Sequence, residues 1–237
     1  MKISAEEKIM YDVMRAIYES GIPIDFKGSM VLKACLMEAG YPNEIRHTVD
    51  IDAYWHSDVE LTKEAMVNSL QNTMDKNGLD LKVEMYRMYG QGRSAGFGFK
   101  DKMLDDVLFT MDIDVNRPMP ETKIYEVGGI SFCGVVPNQM IADKLYAIST
   151  DKIFRRIKDV IDLFYISKVM IFDYSKISEI LNKNGRVLGT FDGFLHKQDD
   201  LKHSYDKFKF VGDVDKPSFE EVYTSVIEFI NEALTDN

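Results

Sequence analysis

The most constraining feature of the sequence is a pair of aspartates, Asp50 and Asp52, that follows a Gly28-Ser29 turn. The segment around the pair alternates polar and apolar residues, which is typical of a β-strand. Because side chains at i and i+2 of a strand point to the same side, both carboxylates are expected on one face. Two anions aimed at one spot repel each other unless a cation lies between them. A divalent metal that carries nucleotide phosphates would meet that need.

A second Asp-x-Asp pair, Asp112 and Asp114, lies on another predicted strand and again shares one face. Two strands that bring three or four carboxylates together can hold two magnesium ions for phosphoryl or nucleotidyl transfer. The amides of Gly28 and Ser29, at the start of a predicted helix, would receive phosphate oxygens. Since Asp-x-Asp alone also occurs on solvent-facing strands, the predicted metal site depends on these features occurring together.

The remaining pattern predicts an α+β fold, with a mixed sheet and flanking helices over residues 1–136 and helices over 137–237. Strands are predicted at 22–26, 48–54, 81–89, 97–100, 107–115 and 130–136. Helices are predicted at 3–20, 29–39, 62–76, 139–149, 153–169, 174–184 and 218–234, with a less regular stretch at 199–207. The glycine-rich stretch 90–98 favours a flexible hairpin over a phosphate loop, because a strand and not a helix follows it.

Composition narrows the class of protein. The 237-residue chain is 45% hydrophobic and 29% charged, as soluble globular proteins are. It has neither an apolar run of about 18 residues nor the apolar core of a signal peptide, so we expect no membrane association. The two distant cysteines, Cys35 and Cys133, favour a reducing cytoplasm. A net charge of −10 argues against a large nonspecific nucleic-acid footprint but leaves room for a local basic groove.

Four blocks of residues occur in a fixed order along the chain. They are Lys27-Gly28-Ser29, Arg46-x-Thr48-x-Asp50-x-Asp52, Ile141-Ala142-Asp143-Lys144-Leu145-x-Ala147 and Arg155-Arg156-x-Lys158-Asp159-x-x-Asp162-Leu163. This succession resembles the AbiEii-type nucleotidyltransferase family, toxins of bacterial toxin–antitoxin and phage-defence systems within the polymerase-β-like superfamily. The last two blocks are the more diagnostic, since the first two are shared across the superfamily. The chain departs from the family in having Gly28-Ser29-Met30 for Gly-Gly-Thr and Asp143 for glutamate.

The resemblance implies a polymerase-β-like nucleotidyltransferase sheet followed by a helical C-terminal region, and it implies roles for the matching residues. The implied nucleotide-binding residues are Lys27, Gly28, Ser29, Arg46, Thr48 and Lys144, and the implied metal ligands are Asp50, Asp52, Asp112 and Asp114. Asp114 best fits the position of the third catalytic carboxylate, although Asp112 shares its face. Lys144 would meet the nucleotide phosphates, and Asp159 would orient Lys144 or assist proton removal.

The helical blocks also have a simpler interpretation when they are taken without the resemblance. Asp159 and Asp162 would lie on the polar sides of a helix and form intrahelical ion pairs with Arg155 and Lys158. Lys144 would be a solvated lysine on an amphipathic helix. The resemblance favours a role in the site for Lys144 and Asp159 instead.

The function implied is magnesium-dependent transfer of an NMP from an NTP, ATP or GTP included, to an acceptor hydroxyl, with release of pyrophosphate. The acceptor could be RNA or tRNA, a protein or a small molecule, and the sequence does not distinguish them. A toxin of this kind would act in the cytoplasm and would have a cognate antitoxin protein as its partner. The alternatives are a catalytically silent relative that binds a nucleotide or a partner, and an antibiotic-type small-molecule nucleotidyltransferase.

Overall fold

The computed structural model describes residues 2–90, 92–150, 153–212 and 214–235, with the side chain of residue 235 excepted. These residues form two compact units. The sheet unit comprises Lys2–Glu38 and His47–Val135, and the helical unit comprises residues 39–46 and 136–235. In the described part of the chain, no helix is long and apolar enough to cross a membrane.

The sheet unit is built on a seven-stranded mixed sheet with the order β3-β4-β5-β2-β1-β7-β6. The strands are β1 (Ile24–Lys27), β2 (Asp50–Trp55), β3 (Leu81–Tyr89), β4 (Ser94–Asp101), β5 (Val107–Val115), β6 (Thr122–Val127) and β7 (Ile130–Val135). The pairs β2–β5 and β1–β7 are parallel, and the other pairs are antiparallel. The predicted α+β class and mixed sheet are confirmed.

Three helices belong to the sheet unit, namely α1 (Ala5–Glu19), α2 (Gly28–Glu38) and α3 (Lys63–Lys76). A capping box starts α1: the Ser4 side chain accepts from the Glu7 amide, and the Glu7 carboxylate accepts from the Ser4 amide. The Thr62 side chain accepts from the Ala65 amide and starts α3. All three helices therefore begin where the sequence pattern places them, within two residues.

The buried side of the sheet determines which way the aspartates point. Ile51 and Ala53 on β2 and Met111 and Ile113 on β5 are almost completely buried. The aspartates alternate with these residues and are only half-buried. Since a strand has a period of two residues, burial of the apolar positions places all the aspartates on the opposite, more accessible face.

The helical unit contains α4 (Pro137–Ile148), α5 (Ile157–Ser167), α6 (Tyr174–Lys183), α7 (Asp192–Leu195), α8 (Gln198–Lys207) and α9 (Phe219–Thr235). The prediction of one helix over 153–169 is wrong in detail. A short 3₁₀ turn, Ile153–Arg155, precedes α5, and Arg156 lies between them with non-helical backbone angles. Neither β6 nor α7 was predicted from the sequence.

Candidate active site

The turn between β1 and α2 brings the backbone of Gly28 against the carboxylate of Asp52. Gly28 has φ +72°, a conformation that L side chains rarely adopt. A Cβ atom at this position would also collide with the Asp52 carboxylate. The first amides of α2, an 11-residue helix, are not used within the helix and carry its positive dipole end. Backbone donors suited to phosphate oxygens therefore lie next to an aspartate.

Asp50 is held by the residue two positions before it. The hydroxyl of Thr48 donates to Asp50 Oδ1 at 2.7 Å. The amide of Thr48 in turn donates to Glu7 Oε1 at 3.4 Å. The observed contacts of Thr48, which was predicted to bind nucleotide, fix the side chain of Asp50.

Glu7 anchors the segment that leads into the aspartate strand. Its Oε2 atom accepts from Lys33 Nζ on α2 at 2.7 Å and lies 2.9 Å from His47 Nδ1. Glu7 and Lys33 are both buried. Burial alone would raise the pKa of Glu7, but the hydrogen bonds from Lys33 and Ser4 outweigh it and lower the pKa. His47, which lies inside the Arg46-x-Thr48-x-Asp50 block, is therefore bound by a buried carboxylate.

The parallel register of β2 and β5 brings the two predicted Asp-x-Asp pairs onto the same face. Asp52 lies opposite Asp112, and Tyr54 lies opposite Asp114. Neighbouring strands are about 4.8 Å apart, so Asp112 is the aspartate of β5 that lies directly beside Asp52. The four aspartates predicted as metal ligands therefore share one side of the sheet, and Asp52 and Asp112 are the directly paired two.

Two cations hold the aspartates of β5. Lys27 Nζ lies 2.6 Å from Asp114 Oδ2 and 4.1 Å from the centre of the Tyr54 ring. Burial alone would lower the pKa of Lys27, but its surroundings, Tyr54, Asp114 and Asp52 among them, raise it, so Lys27 stays an ammonium. Asp112 accepts a hydrogen bond from the Tyr86 hydroxyl at 2.9 Å and forms an ion pair with Arg87.

The carboxylates fit a hard cation such as magnesium by their chemistry. Magnesium is commonly bound by one or two carboxylates together with waters and substrate phosphates, so a complete protein cage is not required. Consistent with this, the described residues contain no group of three or more His, Cys, Asp or Glu side chains arranged to hold a metal by themselves. The residues that could contribute ligands are Asp50, Asp52 and Asp112.

In the helical unit, the remaining predicted residues form a buried ion cluster. Asp162 receives Arg46 Nη2 at 3.0 Å and Lys144 Nζ at 2.7 Å, and Lys144 Nζ also lies 3.4 Å from Asp159 Oδ1. Burial alone would raise the pKa of Asp162, but Arg46 and Lys144 outweigh it and lower the pKa. Placing Asp162 on a polar side of α5 was therefore wrong, as was treating Lys144 as a solvated lysine in the interpretation without the resemblance, because both side chains are buried.

The predicted site residues thus form two groups. The sheet unit holds Lys27, Gly28, Ser29, Thr48, Asp50, Asp52, Asp112 and Asp114, and the helical unit holds Arg46, Lys144 and Asp159. The roles of Glu7, Tyr86 and Arg87 beside these residues were not predicted from the sequence. The Ser4-x-x-Glu7 capping-box pattern was a visible signal for Glu7. The positions of Tyr86 and Arg87 beside Asp112 depend on strand register.

No protein-family model matches the sequence, and no curated protein sequence matches it either. Solved structures do match. MenT4, a nucleotidyltransferase toxin from Mycobacterium tuberculosis H37Rv, has a TM-score of 0.61 and 16% identity over 99% of this chain and 86% of its own. An antigenic nucleotidyltransferase-like protein from Paracoccidioides brasiliensis has a TM-score of 0.50 and 14% identity, with 89% and 96% covered. The chain therefore has the fold of these nucleotidyltransferases, as the resemblance predicted.

Proposed function

We propose that this protein is a magnesium-dependent nucleotidyltransferase that moves an NMP from an NTP to an acceptor hydroxyl. The observation that carries the proposal is the position of the Gly28-Ser29 turn against Asp52, with Asp50 and Asp112 on the same face of the sheet. This arrangement combines amide donors for phosphate oxygens with carboxylates for a metal.

The side chains of the sheet unit have distinct roles in the proposed reaction. Asp50 and Asp52 would hold magnesium, which neutralises phosphate charge and lowers the pKa of the acceptor hydroxyl. The Gly28 and Ser29 amides would receive phosphate oxygens. The acceptor oxygen forms a bond to the α-phosphorus, the bond from that phosphorus to the pyrophosphate oxygen breaks, and the hydroxyl proton passes to a carboxylate oxygen of β5. We assign that carboxylate to Asp112, because Asp112 and not Asp114 lies opposite Asp52.

Lys144 and Asp159 belong to the proposal through the family resemblance. Lys144 would contact the nucleotide phosphates, and Asp159 would orient its ammonium group. The distance of 3.4 Å between Lys144 Nζ and Asp159 Oδ1 supports the second role. Lys27, Thr48 and Arg46 would assist nucleotide binding. Lys27 would do so while paired with Asp114, and Thr48 while hydrogen-bonded to Asp50.

We further propose that the protein acts as a toxin, since the similar MenT4 structure is described as a nucleotidyltransferase toxin. RNA, and tRNA in particular, is the first acceptor to test, and a cognate antitoxin is the expected partner. Expression in a bacterial host should arrest growth, and Asp52→Asn should relieve the arrest. Growth arrest that persists with this variant would contradict a toxic nucleotidyl transfer.

The direct test is transfer of label from each α-³²P-labelled NTP, with magnesium, to total RNA, to protein or to small-molecule acceptors. The wild type should label one acceptor class, and Asp52→Asn should lower the rate by at least about a hundredfold, the size of effect expected for loss of electrostatic stabilisation. Asp106→Asn is the matched control, because Asp106 is exposed and lies outside the site. Equal labelling by wild type and Asp52→Asn would show that the site is assigned wrongly.

A further inference from the structure

The glycine-rich stretch after β3 contributes to the site in a way that its sequence does not suggest. β4 contains Gly96, which pairs with Asp112 of β5 on one side and with Arg87 of β3 on the other. Asp112 pairs in turn with Asp52, and Asp52 with Lys27. These five residues therefore form one row across five strands, and Gly96 is its only member without a side chain.

A β-bulge in β3 directs two consecutive side chains across that gap. The register shifts between Met85 and Arg87, so Tyr86 is an extra residue of β3 next to Arg87, which opposes Gly96. Such a bulge re-aims side chains and is common near active sites. A Cβ on Gly96 would lie 2.6 Å from Tyr86 Cζ and 2.7 Å from Arg87 Cγ and Nε. Both side chains therefore occupy the space that any other residue at position 96 would fill.

Tyr86 and Arg87 both donate to Asp112, each to a different carboxylate oxygen. The Tyr86 hydroxyl donates to Oδ1 at 2.9 Å, and Arg87 Nη2 donates to Oδ2. A carboxylate has about four lone-pair positions, and two donors leave positions for a metal or a proton.

We infer that Arg87 and Tyr86 are positioning residues that reach across Gly96 to fix the carboxylate of Asp112 beside Asp52. This inference deepens the proposed function and rests on it. Partners of this kind, which bind the ligands of a metal and not the metal itself, typically change metal affinity by about ten- to a hundredfold when removed. The inference assigns the third carboxylate to Asp112 and gives the glycine-rich stretch a function other than phosphate binding.

The test measures binding of Mn²⁺, as a spectroscopic substitute for magnesium, by electron paramagnetic resonance in the presence of each NTP in turn. Arg87→Ala should weaken Mn²⁺ affinity by about tenfold, and Tyr86→Phe by less, since a neutral donor is weaker than a charged one. Arg87→Lys should recover part of the loss. If Arg87 and Tyr86 had a merely structural role, their replacement would lower the unfolding midpoint without changing the Mn²⁺ dissociation constant.

Two glycines of the same strand provide a matched pair of variants. Neither has a positive φ, so alanine is conformationally acceptable at both. At Gly98 the added Cβ would meet its nearest neighbours at 3.9 to 4.0 Å, an ordinary contact. Gly96→Ala should therefore reproduce the Mn²⁺ defect of Arg87→Ala, whereas Gly98→Ala should bind as the wild type does.

These measurements distinguish failure of the inference from failure of the proposed function. If Asp52→Asn abolishes Mn²⁺ binding and Arg87→Ala binds as tightly as the wild type, the inference is overturned and the proposed function stands. If the wild type binds no Mn²⁺ with any NTP, the proposed function fails and the inference with it. If Gly96→Ala does not fold, Arg87→Ala and Arg87→Lys still test the inference.

Discussion

At the scale of single residues, the strongest constraint on the site is the absence of a side chain at Gly28. Gly21 has the same φ of +72°, but a Cβ there would meet nothing within 4 Å. At Gly28 the added atom would collide with the carboxylate of Asp52. Comparing the two positions therefore separates the cost of the backbone conformation from the effect on the site.

We predict that Gly21→Ala and Gly28→Ala each lose about 1–2 kcal/mol of unfolding free energy, because alanine is strained in the left-handed region. Gly28→Ala should in addition displace Asp52 and lower the rate of NMP transfer by at least about tenfold. Urea denaturation and the labelled-NTP assay measure the two effects separately. Equal transfer rates for the two variants would contradict a role for the Gly28 turn in the site.

The same scale shows what the sequence could and could not reveal about the site. The shared face of Asp50 and Asp52 follows from the two-residue period of a strand, so a local pattern was sufficient. The contact of Arg87 with Asp112 needs the register of three strands and a bulge, none of which leaves a local pattern. The choice between Asp112 and Asp114 likewise needed the pairing of β2 with β5.

At the scale of elements, Glu7 joins α1, α2 and the segment that enters β2. Its carboxylate receives Lys33 from α2 and the Thr48 amide, and it lies within hydrogen-bond distance of His47. Thr48 then holds Asp50. A single buried carboxylate thereby connects the packing of two helices to the geometry of the metal ligands.

We predict that Glu7→Gln lowers the unfolding free energy at neutral pH by about 3 kcal/mol, because the buried Lys33 loses its counter-ion. The pKa of Glu7 is lowered from its ordinary value of 4.5 in the folded protein. Its stabilisation is therefore complete above about pH 4.5 and is lost as the pH falls through the lower folded value. The difference between wild type and variant in urea should shrink on acidification. Glu19→Gln, at the exposed end of α1, is the control and should unfold at neutral pH as the wild type does.

Most of the elements were predictable, and those that were not have physical reasons. β6 is an edge strand on which only Tyr125 and Val127 are buried, so its alternation of polar and apolar residues is weak. The interruption at Arg156 has no glycine or proline to mark it. Ile153 and Ile157 are both buried on either side of it, so tertiary packing and not local preference sets the start of α5.

At the scale of the whole molecule, the division into two units affects how ligand binding can be measured. A chain with two compact units need not unfold in one two-state transition. Trp55, the only tryptophan in the sequence, is buried in β2, three residues after Asp52. Its fluorescence therefore reports on the sheet unit, where the proposed metal and triphosphate site lies.

We predict that magnesium with the correct NTP raises the thermal midpoint seen by Trp55 fluorescence, whereas either one alone has a smaller effect. At a hundred times the dissociation constant, a ligand adds about 2.7 kcal/mol, or about 5–10 °C for a chain of this size. EDTA should abolish the shift, and Asp52→Asn should not show it. Asp106→Asn should shift as the wild type does, because it leaves the site intact. A shift of the same size in Asp52→Asn would place the nucleotide elsewhere in the molecule.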